Sequence, residues 1–249
     1  MRDIAATVSG RSFPWESATV LRLETPGLAA VAPGQFVLLG AGTPGASLIP
    51  IPLLPWTIAS GTTLDILFTR AESLASLEGV IRLDLPLRLR GPGGRPFNVE
   101  GKTRRALLLG QDEGLGPLLH LAADLVRRGV DVTLIVPRAS ESHAMPASAL
   151  PLEVEYVTPG NDEVLERLEG LLDWADALYL AIPPDQLPAI LDLLRRRLLR
   201  LRKGFAQALL APPPMPCGIG ACDLCTVRTT AGYRRACRDG LVFDLLSLV

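Results

Sequence analysis

The chain has 249 residues, enough for two ordinary domains and a small appendage, and 48% hydrophobic with 20% charged residues describes packed cores rather than disorder. A formal net charge of −1, with no basic run interleaved with aromatics, argues against a nucleic-acid surface. No stretch approaches the ~20 consecutive apolar residues of a membrane span.

Met1-Arg2-Asp3-Ile4 opens no signal-peptide apolar segment, so a cytoplasmic location is expected. In such a reducing compartment clustered cysteines read as metal ligands before disulfides.

Residues 1–100 carry short apolar runs between Pro/Gly turns, which predicts an antiparallel β-barrel. Val20–Leu23, Gln35–Leu39, Trp56–Ile58 and Leu64–Phe68 are the clearest strands, and Gly40–Gly45 is a loop. Gly91-Pro92-Gly93-Gly94 marks the edge of this domain.

From Arg105 strand and helix alternate. Ala106–Leu109 suits a strand buried on both faces, and Leu118, Leu121, Ala122, Leu125 and Val126 share one helical face after Pro117. Val132–Val136, Val154–Val157, a helix near 163–172, Ala177–Ala181, a helix near 187–202 and Phe205–Leu210 continue the pattern. The alternation predicts a parallel α/β sheet over residues 101–211. Arg195, Arg196, Arg197, Arg200, Arg202 and Lys203 read as a solvated helix face opposite Leu194, Leu198 and Leu201, with a docking surface as the rival reading. His120 and His143 have no ligand partner in sequence, and Trp15 and Trp174 read as packing residues.

Ala211-Pro212-Pro213-Pro214-Met215-Pro216 cannot continue helix or sheet and is expected to act as a stiff spacer. It introduces a third module, residues 212–249, with the chain's four cysteines in the spacing Cys217-x4-Cys222-x2-Cys225-x11-Cys237. The first three match the run that wraps plant-type [2Fe–2S] clusters. Gly218, Gly220 and Ala221 let the backbone approach a compact cluster, and Thr226–Thr229 with a turn at Ala231-Gly232 predicts a hairpin that returns Cys237. A structural zinc site is the rival, although its knuckles are paired C-x2-4-C units, and disulfides or free thiols are the remaining alternative.

Cys217–Cys225, Gly232-Tyr233 and Cys237-Arg238-Asp239-Gly240-Leu241-Val242-Phe243 resemble the electron-transfer subunits of type B dihydroorotate dehydrogenases, within the ferredoxin–NADP reductase superfamily. Pro33-Gly34-Gln35-Phe36 and Gly91-Pro92-Gly93-Gly94-Arg95-Pro96-Phe97 are similar to that family's P-G-Q-F and G-P-x-G-x-x-F segments. The resemblance implies FAD on the barrel, contacted by Pro55, Trp56 and Thr57. It also implies a [2Fe–2S] cluster on the four cysteines, and electron passage between NAD and a flavin-containing catalytic partner in pyrimidine synthesis. No catalytic residue of the chain's own is implied.

Several segments depart from the family pattern. Leu54 stands where R-P-x-[ST]-[IL] has its phosphate-binding arginine, and Glu72–Leu77 replaces a G-T-x-x-L helix start. Gly110-Gln111-Asp112-Glu113-Gly114 puts two acids in the G-G-G-x-G turn, and Ala181-Ile182-Pro183 replaces C-G-P. Two alternatives therefore stand beside the family role: a relative without FAD or NAD, serving as a cluster-only electron wire or structural subunit, and a zinc-stabilised binding module.

Overall fold

A computed structural model describes residues 1–40, 49–59, 62–78, 81, 86–138, 145–197 and 202–248, with the backbone alone for 57–59 and 76. The glycine loop beyond Gly40, His143, Leu198, Arg200 and Leu201 lie outside the described residues.

Seven strands form one antiparallel sheet: β1 (Arg2–Ser12), β2 (Thr19–Glu24), β3 (Phe36–Gly40), β4 (Ile51–Leu53), β5 (Pro55–Ala59), β6 (Thr63–Phe68) and β7 (Leu87–Gly93). Their order is β4-β3-β7-β1-β2-β6-β5, so the two outer strands are consecutive in the chain and joined through Leu54 alone. That connection curls the sheet into a barrel. Leu23, Leu39, Leu64, Ile66 and Leu89 fill its interior, and Leu74 and Leu77 of helix α1 (Ala71–Glu78) add to that core.

The second domain runs β8 (Arg105–Gly110), α2 (Leu115–Arg127), β9 (Asp131–Ile135), β10 (Val154–Val157), α3 (Val164–Leu172), β11 (Ala177–Ala181), α4 (Leu187–Arg196) and β12 (Ala206–Leu209). Its strands are parallel in the order β10-β9-β8-β11-β12. Alternate residues serve opposite faces. Ala106, Leu108, Ala177 and Tyr179 meet α2, whereas Leu107, Leu109, Leu178 and Leu180 meet α3 and α4. Strand order reverses between β8 and β11, which opens a crevice at their carboxyl ends. The outer face of α4 is solvated: Arg195 pairs with Asp192 at 2.9 Å and Arg197 with Glu169 at 3.2 Å. Among the described residues no helix is long and apolar enough to cross a membrane.

The linker between the domains is clamped in place. Gln207 donates to the carbonyl of Asn98 at 2.7 Å and accepts from its N–H at 2.8 Å, while Phe97 meets Tyr179 edge to face at 5.5 Å.

The cysteine segment is built into this frame. Met215 of the proline run is fully buried, so the run lies along the protein. Hairpin strands β13 (Thr226–Thr229) and β14 (Gly232–Arg235) lead to a short helix, α5 (Ala236–Asp239). Strand β15 (Val242–Asp244) then pairs antiparallel with β12, with Ala208 opposite Phe243, and covers the edge of the α/β sheet. Barrel and cysteine segment meet at two glycines: a Cβ on Gly94 would lie 2.8 Å from the Cα of Gly240. Neither position can carry a side chain without moving the other.

Candidate metal centre

Cys217, Cys222 and Cys225 lie on the loop after the proline run, and Cys237 enters from α5. The loop closes tightly because Gly218, Gly220 and Asp223 all have positive φ, at 62°, 78° and 58°. Gly218 is the more constrained glycine, since a Cβ there would strike Leu38 Cδ1 at 2.7 Å. The Asp223 carboxylate accepts from Arg235 Nε, and the Asp223 carbonyl accepts from the Thr226 hydroxyl, which locks the loop onto the hairpin.

The four cysteines differ in exposure. Cys217 and Cys222 Sγ lie 3.3 Å apart toward the outside, and Cys222 is exposed. Cys225 and Cys237 are each 1% exposed, and the Cys237 N–H lies 3.5 Å from Cys225 Sγ. Backbone donors face the sulfurs as well: Gly220 N–H to Cys237 Sγ at 3.1 Å, and Ala221 N–H to Cys217 Sγ at 3.4 Å. Among the described residues no three His, Cys, Asp or Glu side chains converge on a single-ion position.

Environment separates Cys217 from Cys237. The backbone N–H of Ile219, helped by those of Cys222 and Ala221, holds the Cys217 thiol down to about 6. Burial pushes the Cys237 thiol up to about 12, with the Cys225 sulfur beside it adding to the effect. Thiols gathered this closely oppose one another as thiolates, and a cationic metal centre is what relieves that opposition.

Beneath the loop, Arg90 Nη1 lies 3.6 Å from the Cβ position of Gly218. Asp3 anchors this guanidinium with a 2.7 Å hydrogen bond from Nε, and Arg90 followed by Arg88 holds the Asp3 carboxyl down to about 2. The pair's contribution is therefore complete above the unfolded carboxylate pKa of about 4 and is lost as pH falls through the depressed value.

The residues expected at a flavin are arranged differently. Leu54 is 8% exposed and belongs to the core shared by barrel and sheet. Pro55 is buried, and Trp56 meets Trp15 edge to face at 6.4 Å while Gly116 of α2 closes over its Cβ. Thr57 lies in β5, and its side chain is outside the described residues.

A cleft of about 240 Å³ beside Leu54 is lined by Leu53, Leu67, Phe68, Ser73, Glu113 and Pro212. Its neighbour, about 180 Å³, joins Leu54 and Arg70 to Gln111–Gly114 and Ala181–Pro184 at the crevice. Glu113 Oε1 is buried here without a hydrogen-bond partner among the described residues, and α1 begins with Glu72 in its first turn. The fold is compatible with FAD, but the phosphate-binding side chains do not fit it: a leucine replaces the guanidinium and carboxylates stand at both anion positions.

The dinucleotide turn keeps its shape without its chemistry. Asp112 holds φ at 52°, in the left-handed region that a glycine there would enter freely. Gln111 and Gln186 side chains join across the crevice at 3.1 Å. A Cβ on Gly114 would sit 2.4 Å from the carbonyl oxygen of Ala181, so this glycine serves packing of the turn on β11. Gly114→Ala is expected to lower unfolding free energy by about 3 kcal/mol, read as a shift of the urea midpoint at constant slope.

His120 lies on α2 with Nδ1 buried and unpartnered among the described residues, and burial pushes its imidazole down to about 4, so it is neutral at pH 7. Trp174 packs under the Arg105 guanidinium at 5.9 Å. What residue patterns missed at the centre is the burial of Cys225 and Cys237 against the exposure of Cys222, and the guanidinium beneath Gly218. Neither leaves a signal in spacing, because both depend on β7 and α5 meeting the loop.

The iron–sulfur cluster binding domain of dihydroorotate dehydrogenase B matches residues 213–248. The electron-transfer subunit of NAD-dependent dihydroorotate dehydrogenase B from Clostridium acetobutylicum is 24% identical over 90% of this chain and 89% of its own length. A probable subunit of the same kind from Thermoplasma acidophilum is 27% identical over 100% of this chain and 88% of its own. A solved structure of NADH-dependent reduced ferredoxin–NADP oxidoreductase, studied for flavin-based electron bifurcation, superposes with TM-score 0.77 at 20% identity, covering 98% of this chain and 89% of that one. The chain is thus similar along its length to the electron-transfer subunits of dihydroorotate dehydrogenase B, and its last segment matches the iron–sulfur cluster binding domain of that enzyme.

Proposed function

We propose that this chain is an electron-transfer subunit in which Cys217, Cys222, Cys225 and Cys237 hold a [2Fe–2S] cluster, passing electrons to or from a flavin-containing partner such as a dihydroorotate dehydrogenase catalytic subunit. The observation that carries the reading is the gathering of the four cysteines on one tight loop and its hairpin, with Cys217 and Cys222 Sγ 3.3 Å apart and the Gly220 and Ala221 N–H groups aimed at Cys237 and Cys217 Sγ. A tetrahedral zinc site draws four sulfurs together, all about 3.8 Å apart for Zn–S bonds of about 2.3 Å. Among the described residues no such single-ion set is found, whereas the C-x4-C-x2-C run suits a [2Fe–2S] cluster.

When bound, such a cluster supplies a one-electron carrier. The chain's own residues do the rest. The N–H groups of Gly220 and Ala221 donate to sulfur and favour the more negative, reduced state. Burial of Cys225 and Cys237 keeps water from one side, while the exposed Cys222 gives a partner a short approach. A catalytic partner subunit follows from the role of the relatives, and a cytoplasmic setting fits four unbridged thiols.

A second reading is favoured by Leu54, Glu72 and Glu113: the cluster is the sole redox group, and the former flavin and dinucleotide surfaces serve as scaffold. Anaerobic purification followed by iron, zinc, sulfide and flavin analysis tests both. About two irons and two sulfides per chain support the proposal, and zinc without iron overturns it.

A further inference from the structure

A cleft of about 560 Å³ lies beside the cysteine segment, between the hairpin and the edge of the α/β sheet. Thr229, Thr230, Ala231 and Arg234 of the hairpin region line it together with Arg95 and Lys203. Val242, Phe243 and Leu246 give it an apolar floor. The size lies within the range of small-molecule sites.

Its charges are unevenly engaged. Both oxygens of Asp244 accept backbone N–H groups, from Gly204 at 2.6 Å and Leu246 at 3.0 Å, and Asp239 accepts the N–H of Arg235 at 2.9 Å. Arg95, Lys203 and Arg234 have no ion-pair partner among the described residues. Three cations from three separate parts of the chain therefore line one cavity with two carboxylates that are already hydrogen-bonded to backbone N–H groups, leaving a net charge of +1 among these side chains. Guanidinium and ammonium groups beside an apolar floor recognise a ligand with both an apolar body and clustered negative charge.

We propose that this cleft binds a small organic dianion, held by Arg95, Lys203 and Arg234 with its apolar body on Val242, Phe243 and Leu246. A phosphate monoester and a dicarboxylate share this chemistry. The site is distinct from the flavin and dinucleotide surfaces, and it does not depend on the redox reading of the cysteines.

The test uses the full chain, loaded with whatever metal centre it carries, and titrates phenyl phosphate, phthalate and inorganic phosphate by calorimetry. Saturable binding of phenyl phosphate or phthalate is expected, tighter than that of inorganic phosphate, and which one binds better identifies the source of charge. Lys203→Ala/Arg234→Ala, at exposed positions, should weaken the better probe at least about tenfold, since each loses a charge-assisted contact. Loss of ligand-induced thermal stabilisation in the same variant is the second readout. No saturable binding at 10 mM of any probe, affinity no better than for inorganic phosphate, or unchanged affinity in the double variant overturns the proposal.

Discussion

Cys237→Ala is expected to reduce iron and acid-labile sulfide to background and to abolish visible absorbance, and Cys225→Ala should do the same. Both sulfurs lie at the base of the loop, each 1% exposed, and the amide of Gly220 is aimed at Cys237 Sγ from 3.1 Å. No other described His, Cys, Asp or Glu set stands ready to replace them. Cys222→Ala should also lose iron, but its thiol is exposed, and stability of the metal-free chain should change by no more than about 0.5 kcal/mol. The buried pair differs, because truncating either sulfur opens space in the core containing Met215, Ala236 and Leu241, at a cost of about 1 kcal/mol even without metal. Iron content, visible spectra and urea denaturation of the three variants separate ligation from packing. A full complement of iron and sulfide in Cys237→Ala would sink the assignment.

Much of the frame was legible because its strands announce burial. Ala106–Leu109 and Ala177–Ala181 are apolar throughout, and the structure divides their residues between α2 on one face and α3 with α4 on the other. The cysteine loop and its hairpin were legible from spacing and from Ala231-Gly232. Strand β1 was not, since most of its residues are exposed or half-exposed and its pairing depends on β2 and β7. Nor was β15, three residues long, whose identity as a strand comes from the open edge of β12. That pairing ties the cysteine segment to the α/β sheet, and the Gly94–Gly240 approach ties it to the barrel. Arg95, Lys203 and Arg234 are distant in sequence and form a common surface only once these contacts exist. The eroded motifs were legible as chemistry but not as geometry: Asp112 alone does not reveal that the turn keeps its left-handed backbone.

That retained geometry leads to the other large effect, on flavin content. Protein isolated with its iron is expected to contain FAD far below one per chain, and NADH is expected not to bleach its visible bands. Leu54 occupies the corner between β4 and β5 and is packed into the core, so the position offers hydrocarbon where a pyrophosphate needs a cation. Restoring that cation alone should fail. In Leu54→Arg the new guanidinium would enter the clefts that Leu54 shares with Glu113, whose buried Oε1 lacks a partner among the described residues. An intramolecular ion pair would claim the charge before a phosphate does, and Glu72 would still stand in the first turn of α1. FAD titrated into Leu54→Arg should therefore show no fluorescence quenching, and Trp56, already against Trp15 and covered by α2, should not report a stacked ring. Stoichiometric FAD in the unaltered protein, or rapid bleaching by NADH, would show instead that the barrel holds its flavin without the arginine and that the cluster is one of two redox centres.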